Sequence, residues 1–217
     1  MTERRCGHRR WFGVAGLVAV VLVLGACGSS GPTDEERMDA ALLRLSDFPA
    51  DDGWAIEPEP TDDPEFDAAV DACRQAHDPA VDFVERERSF TRGEFDSVLS
   101  AASVVPNQDV RDKVFLAFDM LVECYASAVE ESWLKDAPAG VTVNGSDPYA
   151  LEVSTAADRT RGRAIQLGMY SETYFLDLIL LEQGSSLLSG AFWHKGELTA
   201  EKQEDIFAPA VKRIKEL

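Results

Sequence analysis

The sequence predicts an α+β domain in which helices cover one twisted, mainly antiparallel sheet. Two observations lead to this fold class. The C-terminal half holds several strand candidates joined by short turns, and such turns connect antiparallel strands. Amphipathic helical patterns stand at both ends of the predicted domain and in its centre. Residues 34–217 are enough for a single domain with a substantial core, and we find no internal repeat.

The first half of the predicted domain combines short helices, two strands and one long helix. A helix near Asp34–Leu45 has Met38, Leu42 and Leu45 on one apolar edge, and Asp47-Phe48-Pro49 ends it. The elements that follow are a short segment at Trp54–Ile56, a helix at Phe66–His77, strands at Val81–Thr91 and Phe95–Val105, and a long helix at Gln108–Leu134.

The second half is predicted to form most of the sheet. Its strand candidates are Tyr149–Thr155, Gly162–Ser171, Tyr174–Glu182 and Leu187–His194. The alternation expected for a half-buried antiparallel strand sets Arg163, Ile165, Leu167 and Met169 against Ala164, Gln166, Gly168 and Tyr170. Gln183-Gly184-Ser185-Ser186 has the composition of a hairpin connection. A last helix, Thr199–Glu216, is predicted to pack through Ile206, Phe207, Ala210, Val211 and Ile214.

The N-terminal segment has the pattern of a bacterial lipoprotein signal. Four arginines precede Phe12–Ala26, an uncharged run shorter than the ~20 residues of a spanning helix. The run ends in the lipobox pattern formed by Leu24, Gly25, Ala26 and Cys27. We therefore expect a signal peptide at residues 1–26, a lipid on Cys27 and a tether at 27–33. An uncleaved anchor is the alternative interpretation, and the export route, general secretory or twin-arginine, stays open.

The predicted location is the extracytoplasmic face of the cell membrane, and the chain's charge limits its partners. The formal net charge is −18, and it becomes more negative when the arginine-rich signal is removed. Such an acidic chain is repelled by nucleic acid and by anionic headgroups, so no nucleic-acid partner is expected. Membrane attachment must then come from the lipid on Cys27, because no polybasic patch assists it.

Two cysteines remain in the predicted exported domain, Cys73 and Cys124. A pair of cysteines in an oxidising compartment usually forms a disulfide, here between two predicted helices. A redox-active pair is the alternative, but its usual Cys-x-x-Cys spacing is not present in the sequence.

Catalytic motifs are not found in the sequence. It contains no Gly-x-Ser-x-Gly elbow, P-loop or Gly-x-Gly-x-x-Gly pattern. His77 is interpreted as a core or capped residue and His194 as an exposed strand-edge residue, with no zinc-ligand spacing around either. The acidic stretch Thr61–Asp67 fits a solvated loop and helix start better than a calcium site. We therefore expect no catalytic residues, metal or cofactor.

Aromatic residues give the only indication of a ligand surface. Tyr170, Tyr174 and Trp193 fall on neighbouring strand candidates, with Phe175 and Phe192 beside them. They could line an apolar cleft for a lipid, glycan or peptide, and packing in the core is the alternative for each.

Several features together resemble the small exported lipoproteins of actinobacteria that carry a sensor-like or PsbP-like domain. They are the run from Ala41 to Pro49, Gly53-Trp54, Phe90-Thr91-Arg92-Gly93, and a long helix containing Cys124. A similar plan occurs in the extracellular sensor domains of mycobacterial receptor kinases. The resemblance implies a non-catalytic binding or sensing module of the cell envelope. We expect its partner to be a small apolar ligand, a glycan or an envelope protein. A hydrolase with an unrecognised carboxylate pair and a partner-scaffolding lipoprotein are the alternatives.

Overall fold

The computed structural model describes residues 31–57, 64–77, 85–93, 96–136, 143–153, 155–169, 171–195 and 200–217. The predicted signal peptide, its lipobox residues Leu24, Gly25 and Ala26, the lipidation site Cys27 and the aromatic Tyr170 lie outside these ranges. Across the described ranges, no helix is both long and apolar enough to cross a membrane.

The described strands form one antiparallel sheet, which confirms the predicted α+β class. The order is β1-β2-β3-β8-β7-β6-β4, with β5 also paired to β6. Every pairing is antiparallel. The strands are β1 (Ala55–Ile56), β2 (Glu85–Arg92), β3 (Asp96–Val104), β4 (Val143–Gly145), β5 (Tyr149–Ala150), β6 (Arg159–Met169), β7 (Glu172–Gln183) and β8 (Ser186–Lys195).

Four α-helices and one 3-10 helix accompany the sheet in the described ranges. They are α1 (Asp34–Ala41), the 3-10 helix (Leu45–Asp47), α2 (Pro64–His77), α3 (Gln108–Asp136) and α4 (Ala200–Lys215). Thr33 begins α1 with a capping box in which its hydroxyl accepts from Glu36 N and the Glu36 carboxylate accepts from Thr33 N.

The first helix is shorter than predicted. It ends at Ala41 because Leu42 is extended, with φ −60° and ψ 139°. The extension to Leu45 is wrong, and this residue is 41% exposed instead of continuing the apolar edge. Met38 and Leu42 are buried as expected.

Successive side chains of β7 point to opposite faces of the sheet and contribute to two apolar clusters, one on each face. Leu176, Leu178 and Leu180 pack with α3 on one face of the sheet, which we call the α3 side. Ile179 and Leu181 point to the other face, the α4 side. The predicted core residues of α4 contact that side: Ile206, Phe207, Ala210 and Val211 are buried there, and Ile214 packs against α1. The sheet is therefore covered on both faces.

The edge next to β6 differs from the prediction. The sequence predicts one strand at Tyr149–Thr155, but among the described residues of this range the paired strand is Tyr149–Ala150. Leu151 and Val153 instead pack into the α4-side core, over the space that Gly162 leaves by having no side chain. The short strand β4, Val143–Gly145, also pairs with β6, and it is not among the predicted strands.

Two positions show why glycine is needed in the hairpins. Gly184 has φ +61° in the two-residue connection between β7 and β8, as the predicted hairpin requires. Gly93, directly after β2, has φ +60° where the chain turns toward β3.

The disulfide predicted from the two cysteines is present. Cys73 of α2 is bonded to Cys124 of α3, with the two Cα atoms 5.6 Å apart. Cys124 is 2% exposed, whereas Cys73 is partly exposed. The bond fastens α2 to the helix that covers the α3 side of the sheet.

Candidate functional site

Aromatic and charged side chains gather where β7 begins and β8 ends. We call this region the aromatic end and define it by Tyr174, Phe175, Trp193 and His194. The register pairs Phe175 with His194 and Leu176 with Trp193. Because side chains alternate along a strand, Tyr174 and Trp193 share the α3 side, while Phe175 and His194 share the α4 side.

The structure brings two predicted cleft residues together. The rings of Tyr174 and Trp193 are nearly parallel, with centroids 6.4 Å apart and an interplanar angle of 15°. Tyr174 is buried at 6% exposure, so it packs in the protein interior. Trp193 is half-buried and packs against the α3-side core. Of the two rings, that of Trp193 is therefore the one with surface that can contact a ligand.

An ion pair borders the aromatic pair. Lys195 contacts Glu172, and the Tyr174 hydroxyl donates to Glu172 Oε2 at 3.3 Å. The hydrogen bond from Lys195 holds the pKa of Glu172 below its usual value, and the same bond raises the pKa of Lys195. Both side chains are charged at neutral pH, so a polar rim lies next to the aromatic surface.

On the opposite face, Asp177 and His194 form a buried polar pair that sequence reasoning missed. Asp177 Oδ2 lies 3.1 Å from His194 Nε2, with side-chain exposures of 4% and 8%. The imidazole also stacks on Phe175, at a centroid distance of 5.6 Å and an angle of 11°. A carboxylate at this distance restricts the orientation of the imidazole ring.

The prediction that His194 is exposed at a strand edge is wrong. Strand β8 lies between β3 and β7, in the middle of the sheet, and the His194 side chain is covered on the α4 side. The sequence does contain a signal for the pair: Asp177 interrupts an otherwise apolar alternation between Phe175 and Ile179. A carboxylate in that position needs a buried partner.

A second charged group lies at the same end of the sheet, on the β2–β3 hairpin. Arg92 bonds Asp96 at 2.7 Å and Asp52 at 3.0 Å, and its guanidinium lies 4.9 Å from the centre of the Trp54 ring. The other oxygen of Asp96 accepts from the backbone N of Lys195 at 3.2 Å. These contacts fasten the hairpin to the end of β8.

Two further carboxylates are paired with arginines and connect α3 to strands of the sheet. Glu182 of β7 is paired with Arg111 of α3 at 2.7 Å, with side-chain exposures of 8% and 10%. Asp119 is bonded by Arg161 and Arg163 of β6. The hydrogen bond from Arg161 is the main reason that the pKa of Asp119 is lowered.

No group of three or more histidine, cysteine or carboxylate side chains that could hold a metal occurs within the described part of the chain. Residues 61–63 of the acidic stretch and the side chain of His77 lie outside that part. No protein-family model, curated protein or solved structure matches the chain.

Proposed function

We propose that this chain is a lipid-anchored, non-catalytic binding or sensing module of the bacterial cell envelope. Its anchor is a lipid on Cys27, and the folded domain lies on the extracytoplasmic face of the cell membrane. The Cys73–Cys124 disulfide carries this proposal. Disulfides persist in oxidising compartments and are rare in the cytosol, in agreement with the lipobox at residues 24–27.

The aromatic end supports binding through a small surface. Trp193 is half-buried and stacked on Tyr174, so its ring is held in one orientation before a ligand arrives. A rigid aromatic face loses little conformational entropy when it binds, and it suits an apolar group or the face of a sugar ring. The neighbouring Glu172–Lys195 pair supplies polar groups for orientation.

The charged groups of the described core favour a binding module over the hydrolase alternative. Glu182 and Asp47 are each engaged by an arginine that bridges two elements of secondary structure. Carboxylates held in this way connect elements of the fold, whereas the general acid and base of a hydrolase must be free to reach a substrate.

Anchoring and ligand binding are tested in one preparation. The full-length chain is expressed in an actinobacterial host, extracted from membranes and analysed by intact and native mass spectrometry. We expect a processed chain that starts at Cys27, carries acyl groups and lacks two hydrogens for the disulfide. A chain that keeps residues 1–26 or carries no lipid would contradict the anchoring, and Cys27→Ala is the matched control.

The same native spectrum tests binding. A co-purifying small molecule that is lost in Trp193→Leu but kept in Leu116→Ala would support the aromatic end as its site. Leu116 is 79% exposed on α3 and is the control for loss of an apolar side chain. Retention of the ligand by Trp193→Leu would remove the aromatic end from the proposal.

A further inference from the structure

We infer that the domain stands on the membrane with the β7–β8 turn toward the bilayer and the aromatic end away from it. The ligand surface at Trp193 then receives molecules from the cell-wall side and not from the lipid phase. This inference rests on the proposed lipid anchor at Cys27, and it adds the direction from which the ligand comes.

The covalent chain sets how far the domain can lie from its anchor. Thr33, the N-cap residue of α1, lies six residues after Cys27 in the sequence. Even a fully extended chain of that length spans only about 20 Å. The start of α1 is therefore held within that distance of the lipidated cysteine.

The start of α1 lies beside the β7–β8 turn. Arg37 donates from Nη1 to Ser185 Oγ at 3.3 Å, and from Nε to the carbonyl of Pro32 at 3.4 Å. The backbone N of Val105 donates to the carbonyl of Ser185 at 2.8 Å, which places the start of α3 at the same end. We call this region the turn end and define it by Asp34, Arg37, Val105 and Ser185.

The remainder of α1 runs from the turn end toward the middle of the sheet. Glu35 pairs with Arg86 at 3.2 Å, and Asp39, one helical turn later, pairs with Arg88 at 3.4 Å. After the helix, the backbone N of Leu43 donates to Ser100 Oγ at 3.1 Å. The chain thus enters at the turn end and moves away from its anchor.

The aromatic end lies at the opposite end of the same strands. Seven residue steps separate Ser186 from Trp193 along β8, and at 3.2–3.4 Å per residue they span about 23 Å. Because the chain enters the domain beside Ser185, Trp193 lies far from the membrane surface when the strands point outward.

Charge favours this upright orientation over a domain lying flat. The formal net charge of the sequence is −18, so contact between a broad face and anionic headgroups is repulsive. The turn end itself exposes Asp34 and Asp109, which prevents it from adsorbing tightly. Standing on the anchored end keeps the broad faces of this acidic domain away from the bilayer.

The orientation is tested by energy transfer from single labels to a dye in the lipid headgroups. The lipidated full-length protein is reconstituted into phosphatidylcholine vesicles containing phosphatidylglycerol. Asp109→Cys places a label near the turn end, and Ser171→Cys places one at the opposite end of β7; both native side chains are exposed. We expect higher transfer efficiency from position 109 than from position 171, at low and at moderate salt.

Equal transfer from both positions, or higher transfer from 171, would overturn the inference. Asp34→Cys repeats the turn-end measurement if the variant at 109 does not fold. Intact mass verifies the lipid, the single label and the preserved disulfide in each sample. Unlipidated protein would contradict the proposed anchor, whereas lipidated protein with the wrong order of efficiencies would contradict the orientation alone.

Discussion

Arg213 holds Asp47 through two hydrogen bonds, from Nη1 to Oδ1 at 2.7 Å and from Nη2 to Oδ2 at 2.8 Å. The same guanidinium donates to the carbonyls of Ala40 and Leu42 at the end of α1. Asp47 is 7% exposed and belongs to the 3-10 helix that follows. One arginine of α4 thus donates hydrogen bonds both to carbonyls at the end of α1 and to the carboxylate of the segment after it.

Removing this arginine should destabilise the domain strongly. Arg213→Ala leaves the Asp47 carboxylate buried without its cation, a change that costs about 3–5 kcal/mol. Chemical denaturation measures the difference in the free energy of unfolding. Lys212→Ala, at the neighbouring position, removes a 75% exposed side chain and should change stability by less than about 0.5 kcal/mol. Equal effects of the two changes would contradict the role assigned to Arg213.

Loss of the disulfide should lower the melting temperature. The Cys73–Cys124 bond closes a loop with a sequence separation of 51, for which the chain-entropy model gives about 4 kcal/mol. In a domain of this size, that corresponds to a drop in Tm of about 10 °C in Cys73→Ala/Cys124→Ala. Calorimetry of the native protein with and without a reductant is the matched comparison. An unchanged Tm after verified reduction would contradict the prediction.

Periodicity predicted the long elements because their burial repeats along the sequence. The helix predicted at Gln108–Leu134 extends from Gln108 to Asp136, and the hairpin of β7 and β8 is found with its turn at Gly184. Short elements such as β4 and β5 carry two or three residues, too few for a period to be recognised. Their positions depend on contacts with β6 that are distant in sequence.

The candidate site was predicted less completely for a related reason. The aromatic composition identified Tyr174 and Trp193, and the strand register brings their rings together. The Asp177–His194 pair depends on which strand lies beside β8 and on which face α4 covers. Neither is encoded in local periodicity, so His194 was predicted at an exposed edge.

Gly190 is expected to tolerate no side chain. A Cβ atom there would lie 2.7 Å from Phe207 Cζ and 2.8 Å from Phe192 Cε2, in the core beneath α4. Gly190→Ala should therefore destabilise the domain by about 1–3 kcal/mol through overpacking. Gly168→Ala, in β6 of the same sheet, is the control, because the nearest atom to its Cβ would be 3.8 Å away. Thermal denaturation of both variants compares the two sites, and similar losses would show that strand propensity, not crowding, sets the cost.

Asp119 should stabilise the fold at neutral pH and lose that effect in acid. Its pKa in the folded protein is lowered, first by the hydrogen bond from Arg161 and also by Arg163. A carboxyl with a lowered folded pKa stabilises the protein above its unfolded pKa of about 3.9 and loses this contribution as the pH falls through the folded value. The Tm difference between the native protein and Asp119→Asn should be largest near pH 7 and shrink below pH ~4. Glu123→Gln, at an exposed carboxylate of α3, is the control. A difference that grows in acid would contradict the assignment.

Asp177 and His194 should be energetically coupled, because each is buried against the other. The Oδ2–Nε2 distance is 3.1 Å, and the exposed fraction of each residue is below 10%. A double-mutant cycle with Asp177→Ala and His194→Ala should give a coupling energy of about 1–3 kcal/mol, since either single change leaves the other polar group buried without this partner. The matched cycle combines Asp177→Ala with Leu116→Ala, at an exposed position on the opposite side of the sheet, and should be additive within about 0.5 kcal/mol. Additivity in the first cycle would mean that the buried pair does not stabilise the aromatic end.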